Sequence, residues 1–174
     1  MPMEPIQIDK KDRLIIRELQ RDGRQTNQQL AQAVNLSPSP CLRRVKRLEQ
    51  AGLIAGYTAI VDQLAYGLPL TVFIRITLER HDTATVAAFE RRVLDIDEIM
   101  DCYLMTGQRD YLLRVVASSL EGYEQFVRQV IHNIPGIASI DTSFAYGVVK
   151  HARSFPHPSP PPRTGEGVSQ PLLY

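Results

Sequence analysis

The sequence contains no tryptophan and only two cysteines, Cys41 and Cys102, among its 174 residues. These cysteines lie in different halves of the chain without a CxxC or His-rich spacing, so neither a disulfide framework nor a metal site is expected. No apolar run approaches the roughly 20 residues that cross a bilayer, and the N-terminus lacks the apolar stretch of a signal peptide. These absences exclude a secreted disulfide scaffold and a membrane span, and we expect a cytoplasmic protein.

Charge is nearly balanced, at a formal net +1, but it is unevenly distributed. Residues 1–62 hold ten Lys/Arg against seven Asp/Glu, whereas residues 63–150 hold eight against eleven. A basic first half suits a polyanion, and an acidic second half suits proteins or small ligands. The four histidines share no helical face and have no carboxylate, Ser or Cys partner at an informative spacing. We therefore expect no catalytic residues and no cofactor.

Apolar residues recur at helical spacing in three stretches of the first half. Asp9 can cap the first helix, Thr26 or Asn27 the second, and Ser37 the third, while Asn35 tolerates the left-handed backbone of a tight turn. The residues expected to face inward are Leu14, Ile15 and Leu19, then Leu30, Ala31 and Val34, then Leu42, Val45 and Leu48. The pattern predicts three helices with a helix-turn-helix junction between the second and third.

The segment after the third helix is richer in β-forming residues. Residues 53–57 are expected to form a short strand pair, or wing, and residues 58–61 a connecting strand. This gives a winged helix-turn-helix domain over residues 8–62, followed by a linker over residues 63–69.

The second half alternates strand and helix signals. Strands are expected over residues 70–78, 99–105, 111–117 and 137–150, and helices over residues 83–94 and 119–132. The order β-α-β-β-α-β is the ferredoxin-like plan, with both helices on one sheet face and the other face free for a partner sheet. The fold class is therefore α+β, with this domain spanning residues 70–151. The Pro-rich segment 152–174 is expected to be disordered.

The third helix carries basic residues on the side that points away from its predicted core face. On a DNA-reading helix, Arg43 and Arg47 would lie in the major groove, with Arg44 and Lys46 nearer phosphates. The same pattern also fits a solvated helix face, but its position after a helix-turn-helix junction favours DNA. The predicted DNA-binding residues are Ser37, Ser39, Pro40, Arg43, Arg44, Lys46 and Arg47.

Several motifs in this chain resemble those of one family. They are Asp22-Gly23-Arg24, the run from Leu36 to Glu49 that contains Ser-Pro-Ser-Pro-Cys-Leu, Gly52-Leu53-Ile54-x-Gly56-Tyr57, Thr106-Gly107-x-x-Asp110-Tyr111-Leu112-Leu113, and Ile134-Pro135-Gly136-Ile137. The chain resembles the leucine-responsive and asparagine-operon (Lrp/AsnC) regulators from Ile8 to about Lys150.

That resemblance implies a ligand-sensing and oligomerisation domain in the second half. An amino acid would be held between subunits at the Gly-x-x-Asp loop of homodimers that can assemble into octamers. The implied effector-binding residues are Met105, Thr106, Gly107, Gln108, Arg109 and Asp110. Gly107 would let backbone amides approach a carboxylate, and Asp110 would pair with an ammonium group or a loop amide. Arg109 departs from the family pattern, and a plain hairpin turn would also account for the glycine and the aspartate.

The sequence thus predicts a sequence-specific DNA-binding transcription regulator that responds to a small effector, an amino acid by resemblance, and is not an enzyme. Two alternatives remain open. One is a siroheme-decarboxylating enzyme of the same two-domain plan, although the basic residues of the third helix favour DNA. The other is a nucleoid-organising protein that binds DNA without a ligand.

Overall fold

The structure, a computed structural model, describes residues 7–150, 152 and 155. The chain divides into two compact units, the first running to Ala59 and the second spanning Ile60–Val149. Among the described residues, no helix is long and apolar enough to cross a membrane. The predicted disordered tail, residues 152–174, lies outside the described residues except for Ala152 and Phe155.

The first unit contains three helices, α1 (Lys10–Arg21), α2 (Asn27–Ala33) and α3 (Pro38–Gln50). The Asp9 side chain caps α1 and Thr26 caps α2, each in a reciprocal capping box with the residue three positions later. Asn35 joins α2 to α3 with a φ of 53°, the left-handed conformation expected of the tight turn. The helix-turn-helix junction is confirmed.

The core of the first unit differs from the prediction at two leucines. Leu14 is 41% exposed and Leu42 is 43% exposed, so neither belongs to the core. Cys41 takes the position expected of Leu42 and is fully buried. Cys41, Val45 and Leu48 lie on one face of α3, at helical spacing. The prediction assigned Leu42 to that face instead of Cys41, because leucine is the larger and more hydrophobic residue.

The segment after α3 does not form the predicted wing strands. No strand lies between α3 and residue 70, a stretch the structure describes throughout. The backbone amides of Leu53 and Ile54 both donate to the Leu48 carbonyl and close the end of α3. Beyond it the Tyr57 hydroxyl donates to Glu49 at 2.8 Å, which ties this segment to α3. Residues 58–61 have strand-forming composition, but a strand also requires a hydrogen-bonding neighbour.

Residues 62–68, within and beside the predicted linker, form a chain of turns. The amide of Tyr66 donates to the Asp62 carbonyl, and that of Leu68 donates to the Gln63 carbonyl. The Gln63 side-chain amide also donates to the Leu68 carbonyl and to the Thr71 hydroxyl. These bonds fix the segment to the start of the first strand.

The second unit is an antiparallel four-stranded sheet with two helices. The strands are β1 (Leu70–Leu78), β2 (Ile99–Leu104), β3 (Tyr111–Ala117) and β4 (Ile137–Phe144), and the helices are α4 (Thr83–Leu94) and α5 (Leu120–Gln129). Their spatial order, β2-β3-β1-β4, gives the βαββαβ ferredoxin-like plan. Three predicted ends were too late: β2 ends at Leu104, α5 ends at Gln129 and is followed by a 3-10 turn, and β4 ends at Phe144.

Alternate residues of the strands build the core beneath the helices. Val72, Ile74 and Ile76 of β1 are fully buried, together with Phe89 of α4 and Leu113 of β3. The other face of the sheet carries the intervening side chains, which are mostly polar and partly exposed. The loop between β2 and β3 contacts this open face.

Candidate functional site

One face of α3 is exposed and carries polar, basic and apolar groups together. The exposed residues of the helix after its first turn include Leu42, Arg43, Lys46 and Arg47, and Ser39 lies exposed at its start. Leu42 therefore joins the basic residues on the open side, contrary to its predicted inward position. Such a face offers hydrogen-bond donors and an apolar side chain to the same surface.

Two of the four predicted DNA-binding cations of α3 contact a buried carboxylate of α1. Asp12 is fully buried, and its Oδ1 accepts from Arg44 at 2.8 Å while its Oδ2 accepts from Arg47 at 2.5 Å. Arg44 also donates to Asp9 at 2.7 Å. Arg44 was predicted to lie on the exposed basic side of this helix, and this was wrong because its side chain is 29% exposed and bound by both carboxylates. The same prediction was partly right for Arg47, whose side chain is 48% exposed.

These contacts also shift the pKa values of two of the groups that make them. The Asp12 amide and the Arg44 guanidinium lower the pKa of Asp9 to about 2, and both carboxylates raise the pKa of Arg44. Asp9 thus remains a carboxylate whenever α1 is folded at neutral pH. Sequence reasoning assigned Asp9 only as a cap and missed Asp12, because the partners of Asp12 lie 32 and 35 residues away.

The first turn of α3 is presented without a side-chain cap. Ser37 was expected to cap α3 and does lie at the N-cap position, but its hydroxyl makes no capping bond. Pro38 occupies the first turn, where it needs no amide partner. The Asn27 side chain donates to the Pro38 carbonyl at 2.9 Å and so joins α2 to α3. The Ser37 and Ser39 hydroxyls are left on exposed residues, and Pro40 is half-buried.

A second candidate site lies at the loop between β2 and β3. The loop closes through a 2.8 Å bond from the Met105 amide to the Asp110 carbonyl, and Gly107 adopts a φ of 116°. A shallow cavity of about 170 Å³ opens beside it. Its lining contains four of the predicted effector-binding residues and three that sequence reasoning missed: Met105, Thr106, Gln108 and Arg109, with Arg75, Tyr111 and Leu112. Gly107 and Asp110 shape the loop and are not part of that lining.

Asp110 holds the loop to β1. Its Oδ2 accepts from the Leu78 amide at 2.7 Å, and its Oδ1 lies 2.8 Å from His81 Nε2. These two contacts, the amide first, lower the pKa of Asp110. The resemblance implied a bond with an ammonium group or a loop amide, whereas the amide that Asp110 accepts from belongs to the end of β1. The spacing of the histidines did not indicate this pair, because His81 and Asp110 are 29 residues apart.

Arg109 turns back from the loop onto the open face of the sheet. One of its guanidinium nitrogens donates to Ser139 at 2.7 Å and to Thr77 at 3.2 Å, and these two residues face each other across β1 and β4. Arg75, two residues before Thr77 on the same face, donates to Ser143 at 3.1 Å and lies 3.6 Å from Asp141. The cavity therefore has two arginines along one wall.

Comparison with known proteins identifies both units. A winged helix-turn-helix DNA-binding model matches residues 8–55, and an Lrp/AsnC ligand binding domain model matches residues 71–155. The Bkd operon transcriptional regulator of Pseudomonas aeruginosa is 41% identical over 139 residues, covering 80% of this chain and 91% of the relative. The leucine-responsive regulatory protein of Escherichia coli K12 is 37% identical over 83% of this chain and 88% of its own length.

Solved structures agree with these sequence matches. A transcriptional regulator from Neisseria meningitidis, in complex with L-Met, superposes with a TM-score of 0.82 at 35% identity, covering 86% of this chain and 97% of that one. The relatives are named transcriptional regulators and not enzymes, which confirms the regulator interpretation over the siroheme-decarboxylating alternative. This chain belongs to the Lrp/AsnC family of DNA-binding transcription regulators.

Proposed function

We propose that this protein is a homo-oligomeric cytoplasmic regulator that reads DNA with the exposed face of α3 and responds to a small effector of the amino-acid class at the loop between β2 and β3. The observation that carries the DNA-binding part is the exposed face of α3, which follows directly on the helix-turn-helix junction. In a homodimer, two such helices would address the two halves of a pseudo-palindromic site.

The contacts of α3 indicate different roles for its basic residues. Arg43 and Lys46 are exposed and make no side-chain hydrogen bond within the part of the chain that the structure describes. Arg43 is the better candidate for a bidentate contact to guanine, because both of its terminal nitrogens are free for it. Arg47 gives one nitrogen to Asp12 and keeps others for a phosphate. Arg44 acts chiefly through its bonds to Asp12 and Asp9.

Leu42 adds an apolar group to this surface. It is exposed beside Arg43, whereas the apolar residues of α3 at 41, 45 and 48 are all in the core. In the major groove the apolar feature of a base edge is the C5-methyl group of thymine. Leu42 therefore supplies a contact to a thymine next to the base that Arg43 reads, and Ser37, Ser39 and Pro40 approach the backbone at the start of the helix.

Substitutions test this assignment on DNA selected from a random library. R43Q should weaken binding to the selected site by about 1–3 kcal/mol, with a smaller loss on random DNA. R47A should weaken binding to both by similar factors, because a phosphate contact carries no sequence information. R21Q, which removes an exposed charge from α1, is the control. Equal losses on both DNAs for R43Q would favour the nucleoid-organising alternative.

Replacing thymine by deoxyuridine in the selected site removes only the methyl group. Burial of one methyl group is worth about 0.8 kcal/mol, so wild type should lose roughly fourfold in affinity at the contacted position. L42A should bind the two DNAs equally. If L42A keeps the same preference for thymine as wild type, Leu42 does not touch the methyl group.

The second unit supports the sensing and assembly part. The open sheet face has no helix over it in the described chain, and its polar and apolar side chains would be covered by a partner sheet. The cavity lies at the edge of this face, so that a second subunit would close it. The L-Met complex of the Neisseria meningitidis relative supports an amino-acid-class effector. Octamers of four dimers are the higher assembly that we propose.

Sedimentation velocity and DNA-binding titrations, run with and without each of the twenty amino acids, test this part. An effective ligand should change DNA affinity by roughly 5- to 150-fold, the usual range of allosteric coupling, and should shift the distribution of assemblies. A protein that sediments as a monomer at micromolar concentration, or whose DNA affinity no ligand changes, would contradict the proposal.

A further inference from the structure

The charged residues at the cavity beside the β2–β3 loop indicate the net charge of its ligand, which the proposed effector class leaves open. Three arginines reach the open face of the sheet, namely Arg75, Arg109 and Arg114. Arg114 is paired with Asp101, which faces it across β3 and β2, and Arg75 is paired with Asp141, which faces it across β1 and β4. Two of the three cations are therefore neutralised by a cross-strand aspartate.

Arg109 is different because it comes from the loop and has no cross-strand position. Its only hydrogen-bond partners among the described residues are the neutral hydroxyls of Thr77 and Ser139, and no described carboxylate lies within ion-pair distance. Its side chain is nevertheless partly buried and held in place by both bonds. A positioned guanidinium without a counter-charge, in the wall of a cavity, is suited to a bidentate bond with a carboxylate.

In the part of the chain that the structure describes, the same cavity offers an ammonium group only neutral acceptors, such as the Thr106 hydroxyl and the Gln108 side-chain oxygen. Its lining contains no Asp or Glu. The nearest carboxylate of the loop, Asp110, has one oxygen bound by the Leu78 amide and the other by His81. The apolar part of the lining comes from Met105 and Leu112, which accommodate a short carbon skeleton. A zwitterion would thus find a charged partner for its carboxylate but only neutral partners for its ammonium group, whereas a ligand of net negative charge matches the unpaired cation better.

We infer that the effector is a small carboxylic acid of net negative charge, bound through Arg109 with Arg75 beside it. This inference rests on the proposed function, since it concerns the same cavity. Two kinds of molecule share this chemistry: an amino acid with a second carboxylate, and a 2-oxo acid, which has the carboxylate but no ammonium group.

Calorimetric titration of the full chain with two matched pairs of ligands separates these possibilities. Leucine and 4-methyl-2-oxopentanoate differ at the ammonium position, and glutamine and glutamate differ by one carboxylate. At least one anionic member should bind wild type ten times or more tightly than its zwitterionic partner. The pair in which this occurs identifies the kind of acid.

Variants of Arg109 test whether the preference for an anionic ligand arises in this cavity. R109Q should lose at least tenfold in affinity for the anionic ligand, and R109K, which keeps the charge, should retain part of the preference. R92Q removes an exposed arginine from α4 of the same unit and should bind like wild type. A melting curve of R109Q that matches wild type would show that the loss is not one of folding.

Three outcomes overturn the inference. The first is equal or tighter binding of leucine and glutamine than of their anionic partners, the second is unchanged binding by R109Q, and the third is no binding of any of the four. If a zwitterionic amino acid binds and also changes DNA affinity, the effector-responsive regulator proposed above stands and only the anionic class is wrong. If no ligand changes DNA affinity, the proposed function itself fails.

Discussion

The buried Asp12 carboxylate should be the single group on which the first unit depends most. D12A removes the partner of two guanidiniums, and loss of one member of a buried ion pair costs about 3–5 kcal/mol. The side chains of Arg44 and Arg47 are 29% and 48% exposed, so both can regain water once the carboxylate is gone. We therefore expect the lower end, about 3 kcal/mol, as the loss in free energy of unfolding.

Hydrogen exchange measured by mass spectrometry on the full chain localises this loss to one unit. A decrease of about 3 kcal/mol corresponds to exchange roughly 150-fold faster for the protected amides of α1 and α3. Amides of β1 and β3 should be unaffected. E18A, on the same helix, breaks only the surface pair with Arg21 and should change exchange by about twofold, since such pairs contribute about 0.5 kcal/mol or less. Similar effects for D12A and E18A would refute the structural role of Asp12.

Two further predictions concern backbone conformation and pH. G136A should destabilise the second unit by about 2 kcal/mol, because φ is +85° and the added Cβ would lie 2.8 Å from a threonine methyl of α4. G147A, with no atom within 4 Å of its added Cβ, should melt like wild type in thermal denaturation. The Asp12 amide and Arg44 lower the pKa of Asp9 from 3.8 to about 2. The stability this provides is present above pH 3.8 and is lost as pH falls towards 2. Circular dichroism of D9N should therefore show a weaker acid dependence than wild type.

Sequence patterns were most informative where local rules act alone. Asp9 was recognised as a cap, Thr26 as one of two candidate caps and Asn35 as the turn residue, because each depends on neighbours within a few positions. The order of strands and helices in the second unit also followed from periodicity. The predictions were wrong where neighbouring residues satisfy the same local rule. Cys41 and Leu42 are both apolar, and periodicity did not show which of them lies in the core of α3.

The sequence predicted which segments form the candidate sites, but not which of their charged groups are paired. The motifs predicted DNA contact on α3 and an effector at residues 105–110, and four of those six residues line the cavity. Arg75 was missing from that set, because it comes from a strand 30 residues earlier and reaches the loop only through the pairing of β1 with β3.

The sequence by itself determined the helices, the four strands of the second unit, their order and the family, since these depend on periodicity, capping and motifs that are local in the chain. Only the tertiary structure decided which charges are free. Arg44 and Arg109 are both arginines on predicted functional segments, yet one is bound by the buried Asp12 and the other has only hydroxyl partners among the described residues. A charge is neutralised by whatever lies within a few ångströms in space, and the partners here are 30 or more residues distant in sequence.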